Sequence, residues 1–340
     1  MKYRIESIED STHWNDFVCS HPEANFLHSW QWGEFHIARK RTVIRRGIFD
    51  GNSLIGVYVG HIEPARRGYH MQIAGGPIID WNNKTAVTYL FNDIREQAVA
   101  HTCVYVRVRP QLERSLTAEK LFSNLGLRPS PMYLSVELAG VLDITQSDEE
   151  ILKNMRQRLR RALRKAEKNT ITIETTTDPA AIKEFYDIQL QTAGRHGFVP
   201  FTEDFLTKQF TAFAETGNAV LYTARHEGQV LAQNFMIFYG NEASYHYGVS
   251  TELGTRLSGA PLLHMQAIKD ARERGIGRYN FWGIVDEEDI KHRYYGVSVF
   301  KRGFGIEELR YLNAHDMILK KGTYAATKTI DTIRRRFRNV

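Results

Sequence analysis

The chain repeats one order of secondary-structure signals in two places, and that order restricts the fold more than any single motif. Near the start, "TVIRRGIFDGNSLIGVYVGHIE" holds two β-rich runs around Asp50-Gly51-Asn52, a hairpin signal. "YHMQIAGGPIID" follows, then a predicted helix, "KTAVTYLFNDIREQAVAH", then the β-branched run "CVYVRVRP". Far downstream, "AVLYTARHEGQVLAQNFMIFYG" holds two runs around Glu227-Gly228-Gln229, followed by "EASYHYGVS", a predicted helix "APLLHMQAIKDARERG" and "GRYNFWGI". The shared succession of strand, turn, strand, strand, helix, strand predicts two copies of one mixed α/β unit, with little residue identity between them. A helix returning to a strand beside an earlier one requires some parallel pairing and a right-handed crossover. A length of 340 residues accommodates two such units.

Composition narrows the class. Hydrophobic residues at 42% and charged residues at 25% are those of a soluble globular protein. The opening "MKYRIESIED" lacks the apolar stretch of a signal peptide, and no later run is long enough to cross a bilayer, so a cytoplasmic protein is expected. Cys19 and Cys103 are the only cysteines, which excludes a disulfide framework and a multi-cysteine zinc site. The thirteen histidines show no ligand spacing, so neither a metal nor a cofactor is expected.

The net charge of +6 is unevenly spread. "ILKNMRQRLRRALRKAEK", at 151–168, contains one acid, Glu167, and "IRRRFRNV" ends the chain. Ser147 with Glu150 forms a capping-box pattern, and the spacing predicts one helix over 148–168. On a helical wheel Leu152, Met155, Leu159, Leu163 and Ala166 share a face, and Lys153, Arg156, Arg160, Arg164 and Lys168 share another, widened by Arg161 and Lys165. Like charges at i, i+4 oppose the helix. A polyanion such as RNA would account for the ridge, since phosphates are met without sequence readout; a solvated face would account for it equally. The basic tail is either solvated or held near anionic lipid.

At 296–305 the chain reads "GVSVFKRGFG". Val297 to Phe300 reads as a strand that hands over to Lys301 and Arg302 before Gly303 and Gly305. Two cations there are either a solvated strand end or charges aimed into a cleft. Gly75-Gly76-Pro77 and "RERGIGR" fit no phosphate-cradling spacing; the first reads as a strained turn and Gly275 as a helix C-cap.

Several segments, in order, carry a resemblance: "SWQWGEFH" (29–36), "RRGYHMQIAGGPIID", "MRQRLRRALRKAEK", "QTAGRHGF" (191–198), "ASYHYGVS", "GAPLLHMQAIKDARERGIGRYNFWGI" and "VFKRGFG". Together they resemble the Fem-type peptidoglycan aminoacyltransferases, in the short form without a helical arm. The resemblance implies an α/β fold of two tandem acetyltransferase-like (GNAT-like) domains, 1–145 with 316–340 and 146–315, the second carrying the basic helix 148–168. It implies transfer of an amino acid from aminoacyl-tRNA to the stem-peptide amine of a peptidoglycan precursor, by a cytoplasmic monomer touching the inner membrane surface at its periphery.

The same resemblance assigns residues. Lys301 would serve catalysis beside Phe300, because a fixed cation near the developing oxyanion lowers the barrier, or it would hold the tRNA 3′ end. Trp32, His36, Arg195, Phe201, Tyr245 and Tyr247 would bind substrate, and Arg156, Arg160, Arg161, Arg164 and Lys168 would meet tRNA. By strand alternation Tyr245 and Tyr247 should share a face. His36 falls where some members place a phosphate-gripping lysine, and Phe201 near a phosphate-binding arginine. These departures favour a lipid-linked over a nucleotide-linked muramyl peptide. Asn280 stands where the family commonly has Asp, and Trp282 where Gly is frequent. Two other readings stay open: an acyl-CoA-dependent N-acyltransferase on the same unit, and a non-catalytic RNA-binding protein.

Overall fold

In the computed structural model, which describes residues 3–196 and 199–338, the chain forms two units. One runs to Glu137 and resumes at Arg310; the other is Leu138–Leu309. Both hairpin signals become hairpins. Val43–Asp50 pairs with Ser53–Ala65 across Gly51, and Ala219–His226 pairs with Gln229–Tyr239 across Glu227-Gly228. Gly51 and Gly228 turn with φ of +59° and +77°, the left-handed region glycine enters without a Cβ clash.

In the first unit the sheet runs Tyr3–Ser7, Val43–Asp50, Ser53–Ala65, Gly68–Ala74, Cys103–Arg109, His315–Ile318, Arg128–Pro129. Asn83 caps the helix Lys84–Ala100, which buries Val87, Leu90, Phe91 and Ile94 in one core with Ile48, Ile73, Val106 and Val108 of the sheet. In the second unit the order is Ile171–Thr176, Ala219–His226, Gln229–Tyr239, Glu242–Ser250, Arg278–Gly283, Leu138–Asp143, Glu307–Arg310. The helix Gly259–Glu273 buries Leu263, Ala267 and Ile268 with Leu231, Met236 and Phe238, and Gly275 ends it at φ +77°. Each large apolar side chain so buried contributes about 1.5–3 kcal/mol. The helices Ile182–His196 and Glu203–Ala214 supply Phe185, Leu206 and Phe210, the last edge-on to Phe235. In each sheet the pair of strands that the helix connects is parallel.

Two expectations change. Val297 to Phe300 is not a strand but part of the helix Tyr295–Arg302. Its buried residues Ser298, Lys301 and Arg302 recur at the i, i+3, i+4 period, while Val297 is 39% exposed. A four-residue apolar run does not separate strand from helix, and here tertiary burial decided. Nor is 148–168 one helix. The capping box of Ser147 and Glu150 opens Asp148–Asn154, and a second helix, Gln157–Lys168, follows two extended residues, Met155 and Arg156. The Arg156 N–H donates to the Gly303 carbonyl at 2.8 Å, an acceptor outside the helix that favours the break. Met155, Leu159, Leu163 and Ala166 are buried as predicted, whereas Leu152 is exposed.

Candidate active site

The parallel ladder of the second unit is short. Glu242, Ala243 and Ser244 pair with Arg278, Tyr279 and Asn280, and there the ladder ends. In the first unit the corresponding ladder holds from Tyr69 to Ala74. Beyond Ser244 and Asn280 the strands are no longer paired with one another, and each carries a bulge. On Glu242–Ser250, Tyr245 lies opposite Met236 and Tyr247 opposite Phe235, with His246 extra between them. Tyr245 therefore packs edge-on to His264 of the core helix, at 4.5 Å, while Tyr247 meets Phe201 at 5.3 Å and Phe235 at 5.8 Å. The two tyrosines face opposite sides of the sheet, not one; alternation fails because the bulge inserts a residue. On Arg278–Gly283, pairing with Leu138–Asp143 skips from Asn280↔Val141 to Gly283↔Ala139, and Trp282 lies between them at φ +64°.

Lys301 reaches this end of the ladder from the last turn of its helix. Its Nζ donates to the Gly283 carbonyl at 2.7 Å and sits 5.5 Å from the centre of the Tyr245 ring. Only 6% of the residue is exposed, and burial lowers its pKa to about 7. Behind it His264, fully buried, hydrogen-bonds Tyr279 through Nδ1 at 2.7 Å. Burial, then the Lys301 charge, lowers the His264 pKa to about 3, so this ring is neutral. Phe300 packs on the same histidine at 5.6 Å. Arg302 has a separate task, because it donates to Glu308 at 2.6 Å and to the Val285 carbonyl at 2.7 Å, tying down the turns around the helix. An ammonium so placed has N–H bonds beyond the one given to Gly283, and it can give them to an oxyanion formed beside it.

Sequence reasoning missed His264 and the Gly283 carbonyl, and it noted Asn280 without giving it a role. His264 had a signal, a lone polar residue on the buried stripe of an amphipathic helix. A carbonyl's aim has none. The glycines before the core helix are taken up by packing: a Cβ on Gly254 would strike the Leu231 carbonyl, and one on Gly259 would crowd the Leu231 side chain.

Known proteins line up with both halves of the chain. Residues 10–124 match the FemAB family, and residues 153–301 match the acetyltransferase (GNAT) domain. A lipid II:glycine glycyltransferase of Staphylococcus aureus is 23% identical over 391 residues, covering 91% of each chain. The crystal structure of FemX superimposes with a TM-score of 0.86 at 20% identity, over 96% of this chain and 100% of that one. Over nearly its whole length the chain is similar to Fem-type acyltransferases. A tandem GNAT protein from the clavulanic acid biosynthesis pathway shares the fold at a TM-score of 0.58 and 12% identity, over 93% of this chain and 98% of that one. Two GNAT-like domains in tandem are therefore the architecture of this chain.

The remaining predicted residues divide by unit. In the first unit Trp32 and His36 touch edge-on at 4.9 Å. His36 is 3% exposed and stacks on His61 at 3.4 Å; burial, then His61, Arg39 and Arg41, holds it well below the usual histidine range. It is a neutral ring, not a cation. In the second unit Phe201 is exposed, stacked on Phe205 at 4.7 Å and leaning on Tyr247. The Arg195 side chain lies outside the described residues. Arg156, Arg161, Arg164 and Lys168 are exposed, but Arg160 folds back onto the Leu152 and Lys153 carbonyls. The predicted ridge is thus one cation short. Among the described residues no helix is long and apolar enough to cross a membrane.

Proposed function

We propose that this chain is a tRNA-dependent aminoacyltransferase that adds amino acid residues to the stem-peptide amine of a lipid-linked peptidoglycan precursor. The observation that carries the reading is Lys301, a nearly dry amine anchored by Gly283 where the parallel ladder of the second unit ends. In the reaction the acceptor nitrogen attacks the aminoacyl ester carbonyl. A C–N bond forms, the carbonyl electrons move to oxygen, and Lys301 donates a hydrogen bond to that oxyanion. Collapse breaks the C–O bond to the ribose, whose oxygen takes a proton while the attacking nitrogen loses one. Removing such a donor slows acyl transfer by about 10²–10³ in kcat.

The donor is supported by the exposed cations Arg156, Arg161, Arg164 and Lys168, a phosphate-compatible face. The lipid-linked acceptor is supported by the relative named for lipid II and glycine, and by the neutral state of His36 at the position of a phosphate-gripping lysine. Against acyl-CoA as donor stands the packing role of Gly254 and Gly259, which leaves no glycine free to cradle a pyrophosphate at the start of the core helix.

The test is incubation with mixed charged tRNAs and both precursor forms, with products weighed by mass spectrometry. One or a few added residues on the lipid-linked form are expected, abolished by ribonuclease and strongly reduced in Lys301→Ala. Product formation that survives ribonuclease, or that requires an acyl-CoA, overturns the reading.

A further inference from the structure

The Gly283 carbonyl that anchors Lys301 is aimed by an unusual stretch of backbone. Trp282, immediately before it, is left-handed at φ +64°, a conformation that a bulky side chain adopts only when held. The hold is visible. Asn280, fully buried at the last rung of the parallel ladder, accepts the Trp282 N–H on Oδ1 at 2.7 Å. Its Nδ2 donates to Glu242 Oε1 at 3.1 Å. Glu242, 2% exposed, is itself fixed by the Ser244 hydroxyl at 2.7 Å and by Arg278 at 2.9 Å. A chain of polar contacts thus runs from the paired part of the ladder, through one side-chain amide, to the kink that presents the carbonyl to Lys301.

We propose that Asn280 is a positioning residue: its amide holds the left-handed turn at Trp282, and through Gly283 it sets where the Lys301 amine sits. Only an amide fills this place without conflict, because it must accept from a backbone N–H and donate to a carboxylate at once. A carboxylate at 280 would keep the first contact and oppose Glu242. The pairing of Asn280 with Trp282 is then one device. Glycine at 282 would enter the left-handed region unaided, whereas tryptophan needs the clamp.

The inference deepens the role given to Lys301 above, and its test reads that lysine directly, so it succeeds or fails separately from the identity of donor and acceptor. The groups that bear on the lysine are Tyr245 from its strand, His264 from the core helix with Tyr279 behind it, and, at its own helix end, Arg302 with Glu287 and Glu308. None of these is changed in the variants below.

The full chain is trace-labelled with acetic anhydride across a pH series, and acetylation of Lys301 is followed by peptide mass spectrometry to give its titration midpoint. In Asn280→Ala the ammonium loses its carbonyl acceptor, and the midpoint should fall by about one to two pH units. In the Trp282→Gly background the same substitution should leave the midpoint where Trp282→Gly alone puts it. A folded Asn280→Ala protein with the wild-type midpoint overturns the proposal. So does an equal shift in both backgrounds. Should Asn280→Ala fail to fold, the Trp282→Gly pair decides alone: equal midpoints support the clamp, and a shift between them refutes it.

Discussion

A buried lysine is a burden on the fold, and Lys301 makes the burden measurable. With a folded-state pKa lowered to about 7, the native chain binds fewer protons here than the unfolded chain between that value and the usual lysine pKa. Stability therefore rises with pH across the window, and the penalty for burying the charge is full below it. Lys301→Met should stabilise the protein at pH 6.5 and do so much less at pH 10 and above. Urea midpoints at the two pH values check this. A gain of the same size at both would mean that the lysine is not desolvated in the native state. If Lys301 is the oxyanion donor, the same substitution should slow transfer by about 10²–10³ in kcat, separating what the residue does for function from what it does to stability.

The helix Gln157–Lys168 divides its cations between two tasks. Arg161, Arg164 and Lys168 point to solvent, and neutralising any one of them to Gln should leave thermal stability unchanged. If the ridge binds tRNA phosphates, each change should lower the slope of log affinity against log salt by about one and weaken different tRNAs alike. Arg160 differs, because its guanidinium closes over the free carbonyls of Leu152 and Lys153 at the end of the preceding helix. Arg160→Gln should lower the melting temperature and leave the salt slope close to wild type. Filter binding at several salt concentrations, with thermal melts of the same variants, separates the two. The division was invisible on a helical wheel, which assumes an unbroken helix and so lines up Arg160 with Arg156 and Arg164.

At the scale of the whole molecule, the first unit is completed by the chain's last strand. His315–Ile318 lies antiparallel to Cys103–Arg109, and Asp316 accepts from Arg107 at 2.8 and 2.9 Å and from Tyr324 at 2.8 Å, all buried. Breaking a buried pair leaves an uncompensated charge, so Asp316→Ala should cost about 3–5 kcal/mol. Denaturant unfolding at pH 7 measures it, and a loss below 1 kcal/mol would show that Arg107 finds other partners. The difference between the two sheets also belongs to this scale. The same succession of elements makes a parallel ladder that holds to Ala74 in one unit and ends at Ser244 in the other. The candidate site lies where the second ladder ends.

The local order of strands, turns and helices was legible in the sequence, because hairpin turns, helix caps and apolar periodicity are written in neighbouring residues. The succession in each half, the capping box at Ser147 and the apolar stripe from Met155 to Ala166 all needed nothing else. Tertiary structure alone decided three things: that 295–302 is helical, that a bulge at His246 parts Tyr245 from Tyr247, and that a carbonyl beyond Trp282 meets Lys301. Each depends on contacts between segments distant in sequence, where burial and one backbone hydrogen bond outweigh local preference, and no window of adjacent residues encodes that balance.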